Sequence, residues 1–479
     1  MKTKFHFGHS SSIILILVLI FQFKALYIST AKQLNKFTST RCRPVSICLF
    51  HSLIHVNNET IKQINFIEGV VLSHKNLIHQ VTTLLEAWKW TDKDTVLHTL
   101  PLHHVHGIVN ALLSPQYVGA KCVMLPKFDA NTAWALLLGI NTDPEMRRIS
   151  VYTAVPTIYA KLIEEYDKVF SKDEKMVEYI LSTLKTKVRL MMSGSAPLPV
   201  GVHKRWLEIS GHKLLERFGM TETGMILSNV YESEREPGYV GLPLNGIGVR
   251  LGETTPDKRD YLTLMESVNI NGEIKTVIKE STTEDPVGEV LVKGDGVFKE
   301  YYNKAEETLR SFTSDGWFKT GDVAQYSRNK KLFKLLGRIS GDIIKSSGHK
   351  VSTLEVESCL LEHPDVADCS VVGVADELYG QRIVAVVVLK QNVKELSLDD
   401  LKAFAKSRMP PYSVPKDMKI VVEIPKNVLG KVNKRELVKV LDVEWWKETS
   451  PVVRDITNDK SDDICNVNAY WVSLMDFVV

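Results

Sequence analysis

The run Leu214-Leu-Glu-Arg-Phe-Gly-Met-Thr-Glu-Thr-Gly224 sets a threonine hydroxyl and a carboxylate, Thr221 and Glu222, side by side at a glycine turn after an apolar strand. A hydroxyl donates to phosphate oxygens and a carboxylate holds a hard cation, so the pair suits a nucleotide phosphate and its magnesium. A Thr-Glu dipeptide alone carries no weight. Its weight comes from the Ser193-Gly-Ser-Ala-Pro-Leu198 turn ahead of it and from segments further on. A second chemistry-bearing stretch, Leu100-Pro-Leu-His-His-Val-His-Gly107, holds three histidines in four residues. Adjacent histidines converge poorly on one ion, and no cysteine or acidic cluster accompanies them, so a metal centre is the minor reading.

Four later segments extend the pattern: Trp317-Phe-Lys-Thr-Gly-Asp-Val323, Gly337-Arg338, Lys345-Ser-Ser-Gly-His-Lys350 with Glu355-Val-Glu357, and Pro425-Lys-Asn-Val-Leu-Gly-Lys-Val-Asn-Lys434. With these, residues 69–435 resemble the adenylate-forming superfamily, and within it the acyl-CoA synthetases of the malonate–CoA ligase type. Val155-Pro-Thr-Ile-Tyr-Ala-Lys-Leu162 and Gly211-His-Lys-Leu-Leu-Glu-Arg217 add to the likeness. The resemblance implies ATP, magnesium and coenzyme A: a carboxylic acid becomes an acyl-adenylate, which then passes to the CoA thiol. A carboxylate is a poor nucleophile toward the α-phosphate, so such a site must orient both groups and neutralise developing charge.

The resemblance also assigns roles. Thr221 and Glu222 serve the phosphates, with Glu222 on magnesium. Ser195, Ala196, Phe218 and Gly219 fall on the nucleotide side. Asp322 takes the ribose hydroxyls, two acceptor oxygens meeting two donors, and Arg338 adds a second ribose contact. Residues 339–342 form the hinge of a mobile lid. Lys345, Gly348 and Lys350 face the thiol donor. Lys431 bridges the carboxylate and α-phosphate, a flexible ammonium needed in one conformation only. His104 lies near the acyl group, and His106 matches the malonate-using variant. Arg217 stands where many relatives have glycine and offers a partner for a second carboxylate; Arg189 is the alternative, and a structural salt bridge is the competing role for Arg217. A short- or medium-chain fatty acid is the other substrate class.

One part departs from the pattern. The family's phosphate loop, S-G-T-T-G-x-P-K-G, falls where this chain has Ile61-Lys-Gln-Ile-Asn-Phe-Ile-Glu-Gly69. Such loops close glycine-borne N–H groups on phosphate while hydroxyls and a lysine add donors. Only Gly69 fits, and Glu68 reverses the charge of the expected lysine. Residues 1–68 also match none of the family's N-terminal subdomain. Two explanations stand: unrelated sequence joined near Glu68 in a truncated reading frame, or a pseudoenzyme that binds without turnover. Under either, little ATP-dependent ligase activity is expected of this chain.

The elements that must position these residues read as α/β: a truncated large adenylate-forming domain of mixed sheets and helices, then a small mobile α+β domain. A helical pattern follows residue 73 through about residue 90. Buried strands are expected at 95–101, 120–125, 151–154 and 188–192, a turn-rich β region at 238–248, and later strands at 288–293 and 332–336. The small unit is expected to alternate helix 353–362, strands 369–374 and 383–389, helix 398–408 and strand 418–424. The implied domains are 1–68 outside the family, 69–338 for AMP binding, 339–441 as the lid, and 442–479 as an irregular tail.

Composition is ordinary for a globular protein: 479 residues, 44% hydrophobic, 24% charged, net charge +3. That near balance gives no argument for a nucleic-acid partner. Six scattered cysteines without a C-x-x-C pair read as free thiols. Residues 1–58 lack Asp and Glu but carry seven Lys or Arg. That composition suggests a transit segment and mitochondrial import machinery as its partner. The apolar run at 13–21 is too short to span a bilayer but fits a signal-peptide core, which leaves membrane or secretory entry as the alternative.

Overall fold

The apolar runs of the first half form parallel strands stacked in one sheet. The computed structural model describes residues 47–50, 69–140, 148–255, 260–282, 284–376, 378–391, 393–426 and 432–439. Three strands make a small sheet: β1 (Ile47–Phe50), β2 (Gly69–Leu72) and, later in the chain, β14 (Glu300–Tyr301). The central sheet follows. It contains β3 (Thr95–His98), β4 (Lys121–Met124), β5 (Val151–Ala154), β6 (Leu190–Ser193), β7 (Leu215–Met220), β8 (Gly224–Ser228) and β9 (Leu242–Pro243), in the order β4-β3-β5-β6-β7-β8-β9. The first five in that order pair in parallel, whereas β8 and β9 run antiparallel. β3, β5 and β6 are buried along their whole length and read as unbroken apolar runs; β4, expected as a buried strand, is instead the edge of the sheet, with its four residues exposed or half-buried.

Helix α1 (His74–Trp88) is capped by Ser73, whose hydroxyl accepts from the Asn76 N–H, while the Asn76 side chain returns a bond to the Ser73 N–H. Its apolar residues recur every three to four positions. Leu84, Ala87 and Trp88 pack with Val96, Val151, Met192 and Leu215 on one face of the central sheet. The helices Ala130–Leu138, Pro156–Val169, Glu174–Lys187 and Val200–Ser210 cover the other face through Trp134, Tyr159, Leu184 and Trp206.

A second sheet is antiparallel and contains β10 (Ile247–Thr254), β11 (Tyr261–Ile270), β12 (Glu273–Ile278), β13 (Val287–Gly294), β15 (Phe318–Ser327) and β16 (Leu332–Arg338), in the order β12-β11-β10-β13-β15-β16. A third sheet carries its own core. It comprises β17 (Ile343–Ser346), β18 (His349–Ser352), β19 (Val366–Asp376), β20 (Gly380–Leu389) and β21 (Asp417–Ile420), packed with the helices Thr353–Leu360 and Leu398–Lys406.

The mixed α/β class agrees with the sequence reading; several boundaries do not. The strand expected at 95–101 stops at His98, where the chain turns toward Pro101, which lacks an N–H for a ladder. The strand expected at 418–424 ends at Ile420. Residues 343–352, read only as a glycine-bearing basic segment, form a hairpin. Its two-residue turn, Ser347 and Gly348, has φ values of 50° and 81°, the positive pair that a type I′ turn requires. The turn after β7 also differs: Thr221–Thr223 make it, and Gly224 at φ +64° begins the returning strand. Residues 61–68, Lys431 and the tail beyond 439 lie outside the described residues.

Gln80 ties α1 to that hairpin. Its Nε2 donates to the Thr223 carbonyl at 3.0 Å, and its Oε1 accepts from the Met225 N–H at 2.7 Å. Gln80→Leu strips a partner from two buried backbone groups, at roughly 1–3 kcal/mol each. Urea titration of the full chain should show a loss of about 2–4 kcal/mol; an unchanged midpoint would remove the clamp from this account.

Candidate active site

The carboxyl ends of the parallel strands are where open α/β sheets place ligands. Thr153 near the end of β5, Gly194 and Ser195 just past β6, and Arg217 on β7 all meet there. His106 comes to them from a π-helix, His106–Leu113, packed on α1.

Arg217 is 5% exposed. Its Nη2 donates to His106 Nε2 and lies 3.4 Å from Thr153 Oγ1. His106 Nε2 is 2.7 Å from Thr153 Oγ1, and its Nδ1 is 3.0 Å from Ser195 Oγ. The guanidinium also stands 5.8 Å from the Trp88 ring centroid. Gly194 makes room for it: a Cβ there would fall 1.6 Å from Arg217 Nη1. Among the described residues no carboxylate forms an ion pair with Arg217, and its buried Nε has no hydrogen-bond acceptor. Burial lowers its pKa to about 10, against an opposing effect from Tyr159, so it stays cationic at neutral pH. Burial, then the charge of Arg217, then His98 and His104 hold the His106 pKa well below the ordinary imidazole value. The cluster is therefore one buried cation beside one neutral imidazole.

Arg189 has a different fate. It clasps Asp94 through Nε at 2.7 Å and Nη2 at 2.8 Å, with Nη1 on the Trp88 carbonyl. Burial raises the Asp94 pKa, but the bonds from Arg189, Ser150 and the Thr91 N–H outweigh it and hold the carboxyl below its usual range. Arg189 is thus committed to a structural pair, and the structural role weighed for Arg217 belongs to Arg189.

The hairpin of β7 and β8 presents Thr221 and Glu222, both half-buried. A register break at Phe218/Gly219 bends β7 here. Gly219 is needed because a Cβ there would sit 2.1 Å from the Gly224 carbonyl oxygen. The Tyr301 hydroxyl donates to Glu222 Oε1 at 3.1 Å, and the Phe298 N–H donates to the Glu222 carbonyl at 2.6 Å. Ser195 is exposed at φ +68°, a left-handed backbone uncommon for serine, and Ala196 beside it is half-buried. His104 is half-buried, its ring 4.3 Å from that of His103. Among the described residues no group of three His, Cys, Asp or Glu is placed to hold a metal, so the histidine triplet gains no support as a metal centre.

Asp322 and Arg338 face each other across β15 and β16, and Arg338 Nε lies 3.3 Å from Asp322 Oδ1. Lys345 and Lys350 are register partners on the β17–β18 hairpin, on either side of Gly348. Lys345 is exposed, and Lys350 pairs with Glu253 of β10. The segment 339–342 is gripped by Lys434, whose Nζ lies 2.8 Å from both Asp342 Oδ1 and Glu357 Oε1.

Sequence reasoning missed Thr153, Gln80 and Tyr301. Thr153 carried a faint signal, as the polar residue within a buried strand; the other two carried none.

Residues 68–302 match the AMP-binding enzyme family, and residues 355–431 match the AMP-binding enzyme C-terminal domain. The mitochondrial malonate–CoA ligase ACSF3 of Mus musculus is 46% identical over 374 residues, covering 78% of this chain and 62% of the relative. The malonate–CoA ligase of Arabidopsis thaliana is 40% identical over 387 residues, covering 78% and 59%. The solved structure of ATP-bound MatB from Rhodopseudomonas palustris superposes with a TM-score of 0.65 at 29% identity, covering 79% of this chain and 66% of that one. The chain thus spans about 62% of the mouse relative's length. It belongs to the AMP-binding enzyme family.

Proposed function

We propose that this chain is built for the acyl-CoA ligase reaction on a short dicarboxylic acid, malonate first. One carboxylate attacks the α-phosphorus of ATP, giving an acyl-adenylate and pyrophosphate. The CoA thiol then displaces AMP to give the thioester. The observation that carries the reading is Arg217. A buried cation without a counter-charge is unfavourable, and the far carboxylate of a diacid supplies the missing charge through a charge-assisted, bidentate pair. The relatives named as malonate–CoA ligases support the same acid.

The remaining roles belong to the same proposal. Thr221 donates to phosphate oxygens. Magnesium takes one or two carboxylates together with phosphate oxygens, and Glu222, oriented by Tyr301, fits that donor set. Bound there, the ion would offset charge developing on the phosphates. Ser195, Ala196, Phe218 and Gly219 border the nucleotide, and Asp322 with Arg338 takes the ribose. His104 adjoins the reacting carboxyl. Lys431, outside the described residues, is the cation proposed for the adenylation step. Lys345, Gly348 and Lys350 meet CoA, and residues 339–441 act as the lid; the Lys350–Glu253 pair must open for the hairpin to swing.

A mitochondrial destination is also proposed, supported by the relatives named as mitochondrial. No helix among the described residues is long and apolar enough to cross a membrane, and residues 1–58 lie outside them apart from the backbone of β1.

Titration calorimetry tests the acid. Arg217→Gly should weaken malonate binding by about 10- to 100-fold while changing propionate binding less than twofold. Equal losses for both acids would sink the dicarboxylate role. Turnover is a separate matter, because residues 61–69 offer no Ser or Thr to phosphate and place Glu68 where a lysine is expected. Pyrophosphate release driven by malonate, ATP and CoA should stay near background for this 479-residue chain; robust turnover would contradict that.

A further inference from the structure

Thr153 has no part in the scheme above, yet it touches both members of the buried pair. It is 1% exposed, with Oγ1 2.7 Å from His106 Nε2 and 3.4 Å from Arg217 Nη2. A guanidinium only donates. Where Arg217 Nη2 meets His106 Nε2, that nitrogen must accept, so the single proton of the neutral ring sits on Nδ1. From there it donates to Ser195 Oγ at 3.0 Å. Ser195 accepts from the ring, so its own O–H points away from His106.

A carboxylate is a better acceptor for Arg217 than an imidazole, since the pair is charge-assisted and bidentate. As the guanidinium turns to a diacid, it withdraws from His106. Nε2 would then be an acceptor without a donor at a residue only 5% exposed, which is costly. The Thr153 hydroxyl is already within bonding distance to replace it.

We propose that Thr153 is a positioning residue for diacid binding: its O–H holds His106 Nε2 as an acceptor while Arg217 engages the substrate, so the ring keeps its proton on Nδ1 and Ser195 stays oriented. The inference rests on the reading of Arg217 as the diacid's partner.

The test uses the full chain with 15N-labelled histidine, with His106→Gln to assign the signals, and titration calorimetry with malonate and propionate. Thr153→Val keeps the β-branched shape in the strand and removes the hydroxyl; Thr153→Ser restores it. Saturated with malonate, the wild type should keep an unprotonated Nε2 on His106. Thr153→Val should gain a proton there or show tautomer exchange, and should bind malonate about tenfold more weakly with propionate unchanged. Thr153→Ser should return both readouts to wild type. A Thr153→Val chain with wild-type spectra and malonate affinity overturns the inference, as does failure of Thr153→Ser to rescue, which would point to packing. If the wild type prefers malonate and Thr153→Val is silent, this inference falls alone. If the wild type binds malonate no better than propionate, the dicarboxylate reading falls and takes the inference with it.

Discussion

A guanidinium in the protein interior, with no carboxylate paired to it among the described residues, is the constraint around which the site is arranged. Burying a cation is expensive, and proteins usually neutralise one with a close anion. Arg189 shows the usual solution: two bonds to Asp94 and one to a carbonyl, with its charge paired. Arg217 shows the other. It has a neutral imidazole, a hydroxyl and an indole face, none of which cancels its charge. Arg189, just ahead of β6, and Arg217 on β7 thus differ in environment: the first is paired with a carboxylate, and among the described residues the second is not.

The scaffold serves that arrangement through backbone as much as side chains. Gly194 leaves the volume that the guanidinium fills, and Gly219 lets β7 and β8 approach closely enough to present Thr221 and Glu222 on a tight hairpin. Gln80 fixes that hairpin to α1, whose last turn carries Trp88 against Arg217. Displacing α1 would therefore disturb the Arg217–His106 cluster and the β7–β8 hairpin together. The left-handed backbone of Ser195 is held at the end of β6, where a strained residue is informative because it sits beside the chemistry.

How much of this was legible in the sequence depended on how local each cause was. The parallel strands were visible because burial on both faces leaves runs such as Val151–Ala154 nearly free of charge. Thr221, Glu222, Asp322 and Arg338 were singled out because the family pattern ties proposed roles to short motifs. The β17–β18 hairpin was not, because its cause is a pair of positive φ angles in a Ser-Gly turn rather than an apolar period. The sequence reading preferred Arg217 to Arg189 from its place in the motif; the pairing of Arg189 with Asp94, 95 residues before it, had no local signal. Thr153 and Tyr301 act across 64 and 79 residues for the same reason.

Under the proposed function, holding an acid rests on Arg217, whereas activating it would call for the hydroxyls that residues 61–69 lack. The central claim, that Arg217 awaits a carboxylate, is tested most directly by a crystal structure of the full chain with malonate. A carboxylate should lie within about 3 Å of the Arg217 guanidinium nitrogens, with Nη2 withdrawn from His106. Malonate bound elsewhere, with the Arg217–His106 contact intact, would contradict it.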